Sequence, residues 1–430
     1  IEFNPPSTQT VGLFPAFEPK GTLESWKNMI EFYNRDKFEL HQFVVGSSFG
    51  SVLMNFSPVN CAALHLHSKD SGVGKTTAME AAASVWGRPK DLVLDENDTH
   101  NIKMHRGEIY HNLPLYLDEL TNAKANELSN LAYQLTGGKQ RGRMASGGNI
   151  ERYRGDAWQL LAVTTANASI IERVRMAKAM PKAEAQRILE VKVDRLFDEV
   201  RDKKIQDDFR IAVHSNYGHA GKIYIQYVMN NLDGIKKLVG EIRNKVDTEA
   251  ALTSENRFWS AFVTNTMAGL VVAKRAGLIK YNIGDIFKWA IKMVKDNKHY
   301  VSDMNASVEE VLNDYIHEHW SNVLWIKSTD DLRRQNNNGI DSLIVPDAIP
   351  RGKLVARYET DLKKAYLVPK PLRIWCGEQQ INYAVFLQDL MTKLGATKAK
   401  VRLSKGTHMQ LPPTDVIVVS CSIEGEDEAG

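Results

Sequence analysis

Apolar positions fall into four regimes along the chain. In "GTLESWKNMIEFYNRDKFELHQFVVGSSFGSVLMNF" they recur three and four residues apart, which predicts a helical region over 1–57. From "AALHLHSKD" to "RILEVKVD" short apolar runs alternate with helical stretches. That alternation predicts an α/β unit with a parallel sheet over 58–195. From 196 to 327 the pattern is almost wholly helical, with a break at "NYGHAG". A polar, Asn-rich linker, "STDDLRRQNNNG", is placed at 328–339. Beyond it, "LRIWCGEQQINYAVFLQDLMTKLG" reads as helices and "AKVRLSKGTHMQLPPTDVIVVSCS" as two strands around a turn. Helices followed by a β-ribbon predict a winged-helix-like domain over 340–423. The acidic tail "EGEDEAG", 424–430, is expected to lack structure.

Composition changes this picture little. The 430 residues allow two to four domains, and 43% hydrophobic with 25% charged residues is ordinary for a globular protein. A net charge of +3, from 55 basic and 52 acidic residues, excludes a strongly basic chain, so any nucleic-acid surface must be local. Cys61, Cys376 and Cys421 are widely spaced, which argues against a disulfide framework or zinc site and for a reducing, cytoplasmic setting. The most apolar stretch, "AFVTNTMAGLVVAKRAGL", is broken by polar residues and reads as a buried helix, so no membrane partner is expected. A chain starting at Ile1 suggests a preceding segment.

Chemistry enters at "SKDSGVGKTTAMEAAASVWG". A glycine-rich turn after a strand and before a helix lets backbone N–H groups converge on phosphate oxygens, reinforced by the helix dipole. Ser71, Gly72, Val73, Gly74, Lys75, Thr76 and Thr77 form the expected nucleotide cradle, and the helix is expected to stop at Gly87. Lys75 would reach the β- and γ-phosphates of ATP, and Thr76 would ligate Mg²⁺. Lys69 stands where the usual pattern opens with glycine and must accept ordinary backbone angles or strain. "LPLYLDEL" is an apolar strand ending in Asp118, for the Mg²⁺ shell, and Glu119, to polarise the attacking water. The alternative is an ordinary strand followed by a helix cap. "WQLLAVTTAN" ends in Asn167, placed between γ-phosphate and water at the carboxyl end of a second strand. Arg187, just before the next strand, is the candidate arginine finger, with Arg173 and Arg175 as rivals and Arg257 a candidate second sensor. A surface arginine or salt bridge is the other reading of Arg187.

Between these motifs lies "GGKQRGRMASGGNIERYRGDAW". With a four-residue loop at 146–149, position 143 pairs with 152 and 141 with 154, so Arg141, Arg143, Arg152 and Arg154 share one face, with Lys139 at the base; a loop one residue longer or shorter would split them between faces. Like charges set opposite one another are unfavourable unless an anion is expected. The expected anion is DNA, gripped through phosphates without base reading. A solvated charged hairpin is the alternative. In the C-terminal domain Arg373 and Lys393 could touch DNA or form a solvated face, and Trp375 and Tyr383 read as core.

The order GVGKTT, LYLDE, basic hairpin, VTTAN and QRILEVKV resembles the superfamily 3 helicases of the AAA+ class. It is closest to the phage- and plasmid-type replication helicases once grouped as a domain of unknown function. "SENRFW", "KAYLVPKPLRIWC" and "RLSKGT" extend the resemblance over most of 21–421. It implies an AAA+ P-loop ATPase core with an N-terminal helical region, a helical subdomain and a winged-helix-like C-terminal domain. It also implies a homo-hexameric ring moving on single-stranded and forked DNA, with ATP hydrolysed between subunits and a primase upstream. Lys75, Thr76, Asp118, Glu119 and Asn167 match position by position, whereas Lys69 departs from the usual glycine. The tail could recruit replication partners. A DNA-packaging or other motor ATPase, or an origin-binding assembly switch without unwinding, remain as alternatives.

Overall fold

The computed structural model describes residues 8–140, 142, 157–176, 181–198, 201–303, 307–328, 350, 352–379, 381–407 and 409–422. The hairpin arginines 141, 143, 152 and 154, nearly all of the 328–339 linker and the tail lie outside the described residues. The chain divides into two compact units, 1–177 with 181–302, and 178–180 with 303–430.

The first unit is built on a five-stranded parallel sheet. Its strands are β1 (Cys61–His67), β2 (Val93–Leu94), β3 (Leu115–Leu117), β4 (Leu160–Ala166) and β5 (Ile188–Lys192), in the order β2-β3-β4-β1-β5. β1 and β4 are buried along nearly their whole length, as strands of a parallel sheet covered on both faces must be. Parallel neighbours require crossover connections, and the intervening sequence supplies helices for them. All five carboxyl ends therefore lie along one edge. Register pairs Leu66 with Thr165 and His67 with Ala166, which sets the ends of β1 and β4 side by side.

The region expected as separate N-terminal helices and the one expected as a helical subdomain belong to this same unit. Helix Glu39–Gly50 packs along helix Arg257–Arg275, which in turn covers β1. The contact depends on glycine: a Cβ on Gly269 would lie 2.4 Å from the Gly50 nitrogen, and one on Gly50 2.4 Å from the Asn265 oxygen. Most of the long apolar stretch, 261–278, falls within Arg257–Arg275, and the helix buries it from 261 to 270. No helix among the described residues is long and apolar enough to cross a membrane.

The helix after the glycine loop spans Lys75–Ala83 and ends before Gly87. Ser84 closes it, its hydroxyl donating to the Ala81 carbonyl at 2.6 Å. Gly87 serves another need: a Cβ there would meet the Ala16 oxygen at 2.1 Å.

The second unit starts at Asp303 rather than at 340. Helix Val308–Glu318 packs on its core, and β6 (Val323–Ile326) joins its sheet, although both had been assigned to the helical region. β7 (Ala356–Glu359), β8 (Lys364–Leu367), β9 (Thr397–Val401) and β10 (Thr414–Ser420) complete a five-stranded mixed sheet, β6-β7-β8-β10-β9. β9 and β10 are the expected antiparallel ribbon, and helices Pro369–Glu378 and Tyr383–Lys393 fall where helices were expected. β6, β7 and β8 are additions to the two-stranded expectation. β7 escapes a hydrophobic pattern because Arg357 and Glu359 are buried within it as an ion pair at 2.8 Å.

The glycine contact predicts opposite outcomes for one substitution at two sites. Gly269→Ala overpacks the helix crossing and should lower stability by about 1–3 kcal/mol. Gly240→Ala meets nothing within 4 Å on its exposed helix face and should raise stability by about 0.5–1 kcal/mol. Chemical denaturation of the two variants beside the parent reads both signs.

Candidate nucleotide site

The carboxyl edge of the parallel sheet collects the predicted motifs. Gly72 and Gly74 take φ of 69° and 93°, left-handed values open to glycine, and a Cβ on Gly72 would meet nothing within 4 Å. Lys69 is absent from the positive-φ positions, so the loop opens through it without left-handed strain. The turn leads into Lys75 at the start of its helix, and the lysine side chain folds back beneath the loop. Its Nζ donates to the carbonyls of Ser68 at 3.2 Å and Asp70 at 3.3 Å, and to Asn167 Oδ1 at 3.3 Å. Burial pulls the Lys75 pKa below its ordinary value, while Glu119, Asp118 and Asp70 oppose that shift.

Thr76 donates its hydroxyl to Asp118 Oδ1 at 3.2 Å, and Thr165 on β4 donates to the same oxygen. Thr165 Oγ1 also accepts from the Glu119 backbone N–H at 3.1 Å. Sequence reasoning passed over Thr165; its place in "AVTTAN", one strand from the Asp-Glu pair, was the available signal. Glu119 has φ of 54°, uncommon outside glycine and typical of residues held by their surroundings. Asn167 Nδ2 donates to Glu119 Oε1 at 3.4 Å, and the Asn167 backbone N–H donates to Thr121 Oγ1 at 2.9 Å. Asn167 therefore bridges the cation and the acid.

Thr76, Asp118, Glu119, Asn167 and Lys75 come together at this edge of the sheet. The arrangement fits a phosphate chain and a hard divalent cation. A desolvated ammonium lies beneath an open glycine turn, and one carboxylate oxygen gathers two hydroxyls. Beside Glu119 opens a cavity of about 730 Å³, lined also by Lys103, Asn122, Asn130, Gln134 and Gln140.

Arg187, the candidate finger, makes its contacts outside this network. The Arg187 guanidinium lies 4.3 Å from the Tyr133 ring centroid and 5.3 Å from that of Phe258, and donates to Thr136 Oγ1 at 3.2 Å. Arg173 donates to the Leu120 and Thr121 carbonyls, bracing the turn after Glu119. Arg175 and Arg257 are exposed. Arg195, not singled out from sequence, donates to the carbonyl of Ser71 in the glycine loop at 3.1 Å. Lys139 is exposed, and the Trp158 N–H donates to the Gly138 carbonyl at 2.8 Å, tying together the ends of the segment that contains the four arginines. In the second unit Trp375 is buried and Tyr383 partly so, with Arg373 5.0 Å from the Tyr383 centroid and Lys393 paired to Asp389 at 3.2 Å.

A family described as a domain of unknown function (DUF927) matches residues 7–154. No curated protein matches the chain. Among solved structures, the chain is similar to one titled "SCCmec type IV Cch - active helicase". The two share 16% identity and a TM-score of 0.61 over 94% of this chain and 71% of the other. At that identity the likeness is one of fold.

Removing the Thr165 hydroxyl while keeping its shape tests the Asp118 arrangement. Thr165→Val should weaken Mg²⁺-dependent nucleotide binding by about 10- to 100-fold, the usual scale for a group that orients a metal ligand. Binding without Mg²⁺ should change little. Titration of a fluorescent nucleotide with and without Mg²⁺ measures both.

Proposed function

We propose that the chain is an ATP-dependent DNA helicase. The observation that carries this reading is the bridge Lys75–Asn167–Glu119 beside the Thr76–Asp118 pair, at the carboxyl ends of β1, β3 and β4. Each group has a task in phosphoanhydride hydrolysis. The glycine loop and Lys75 bind the phosphates of ATP. Thr76 and Asp118 would hold Mg²⁺, which would neutralise charge on the phosphate oxygens. Asn167 orients water toward the γ-phosphorus, and Glu119 accepts its proton as the bond to ADP breaks.

The fold likeness to an active helicase supports assigning this hydrolysis to strand separation. So does the segment between Gly138 and Trp158, rich in arginine. In this reading Arg141, Arg143, Arg152 and Arg154 grip single-stranded DNA, and a homo-hexameric ring moves them along it during phage or plasmid replication. Arg187, caged by Tyr133 and Phe258 within its own chain, would have to leave those rings to reach a neighbour's nucleotide.

Strand displacement on forked DNA with ATP tests the proposal. The parent should unwind, Lys75→Ala should neither hydrolyse nor unwind, and Glu119→Gln should lose roughly 100-fold or more in turnover. Arg141→Ala with Arg143→Ala should abolish DNA stimulation of hydrolysis and leave nucleotide binding intact. Hydrolysis by the parent without unwinding would favour an assembly switch or a different motor.

A further inference from the structure

Behind the nucleotide site, three buried polar side chains run across the core sheet in register: Thr164 on β4, His65 on β1 and Glu190 on β5. Parallel-sheet cores are ordinarily apolar at such positions, so each needs partners. Thr164 Oγ1 lies 2.8 Å from His65 Nδ1, and His65 Nε2 lies 3.1 Å from the Ala168 carbonyl. A carbonyl can only accept, so Nε2 carries the proton and the ring is neutral, with burial pushing its pKa down to about 3. Glu190 takes the next three groups of the same turn. Its carboxylate accepts from the Ser169 hydroxyl at 2.5 Å, the Ile170 N–H at 2.7 Å and the Ile171 N–H at 3.2 Å. Ser169 Oγ in turn accepts from the Glu172 N–H at 3.0 Å, starting helix Ile170–Arg175. On the outer side, Asn297 of helix Ile283–Asp303 pairs with the backbone of Glu190 in both directions, at 3.2 and 2.8 Å.

Asn167 immediately precedes this turn. We propose that Glu190 is the positioning residue of Asn167: with its register neighbour His65 it pins residues 168–171, and its charge state sets how firmly they hold. The inference rests on the ATPase reading for its effect on turnover, but not for the pinning itself. A carboxylate accepts from all three donors with the added strength of its charge; protonation removes that charge, weakens the bonds from Ser169, Ile170 and Ile171, and loosens the turn. Asn167 would then drift between Lys75 and Glu119, and displacement on that scale lowers turnover more than binding.

The groups facing Glu190 are His65 from β1, Ser169 and Glu172 from the turn and helix, and Asn297 and Tyr300 from helix Ile283–Asp303, with Arg175 near Tyr300. Burial, opposed by the three hydrogen bonds, raises the Glu190 pKa from its ordinary 4.5 to about 7. The sign for stability follows. The protonated group favours the fold, a contribution whole below about 4.5 and lost as pH rises through about 7. Turnover runs the other way, because the ionised form holds the turn. His65, His67 and His41 are all shifted below the ordinary histidine value.

The test compares the full chain with Glu190→Gln, which keeps the shape and removes the ionisation. The readouts are ATP turnover from pH 5.5 to 8.5 and amide hydrogen exchange at Ile170 and Ile171 at one fixed pH. The parent should show kcat rising about tenfold in a single-proton step near neutrality, with KM nearly constant. The variant should stay flat near the acid value and exchange both amides faster. The same pH step and the same protection in both proteins would overturn the proposal. A parent that hydrolyses no ATP sinks the helicase reading alone, and the exchange comparison then decides the pinning. Should Glu190→Gln fail to fold, Ser169→Ala, which removes one of the three bonds, gives the same comparison on a smaller scale.

Discussion

Lys75 places an ammonium group where little water can reach it, and most of the site follows from keeping that charge supplied with oxygens. Two backbone carbonyls of the glycine loop and the amide oxygen of Asn167 surround it. A buried cation without such partners would neutralise or distort its surroundings. The carbonyls exist in the right place because the loop turns through left-handed glycines at Gly72 and Gly74. Asn167 exists in the right place because β4 lies beside β1 in register. Asp118 and Glu119 arrive from β3, the next strand out, and Thr165 ties them to β4. The parallel sheet thus works as a ruler: three chain segments far apart in sequence end within hydrogen-bond reach of one another.

The motifs of the candidate cradle were legible in the sequence because each is local. Glycine spacing, a following lysine and threonine, and an apolar run ending in Asp-Glu each need only a few neighbouring residues to be recognised. Thr165 was harder, since a strand threonine looks ordinary until the fold brings its hydroxyl to Asp118. The row of Thr164, His65 and Glu190 was harder still. Each residue sits in an otherwise apolar strand, and only alignment across three strands reveals that they serve one turn. Arg187 illustrates the reverse. Its position before β5 suggested a role between subunits, but within the chain it is stacked between aromatic rings, a contact no local pattern discloses.

The same contrast explains the domain boundaries. Helical spacing correctly marked helices before and after the parallel sheet, but periodicity says nothing about which core a helix joins. Gly50 and Gly269 bring helices about 220 residues apart in sequence close enough to share one core. In the second unit the buried Arg357–Glu359 pair, held further by Tyr366 and the Leu403 and Lys405 carbonyls, gives an interior strand a charged pattern.

The central claim is that this edge of the sheet is a nucleotide cradle organised by Lys75. Calorimetric titration of the full chain with a non-hydrolysable ATP analogue and Mg²⁺ addresses it without requiring DNA, a ring or turnover. The account predicts one nucleotide bound per chain, with binding lost in Lys75→Ala while the variant's thermal unfolding shows an intact fold. Nucleotide bound equally well by that variant, or no nucleotide bound by the folded parent, would contradict it.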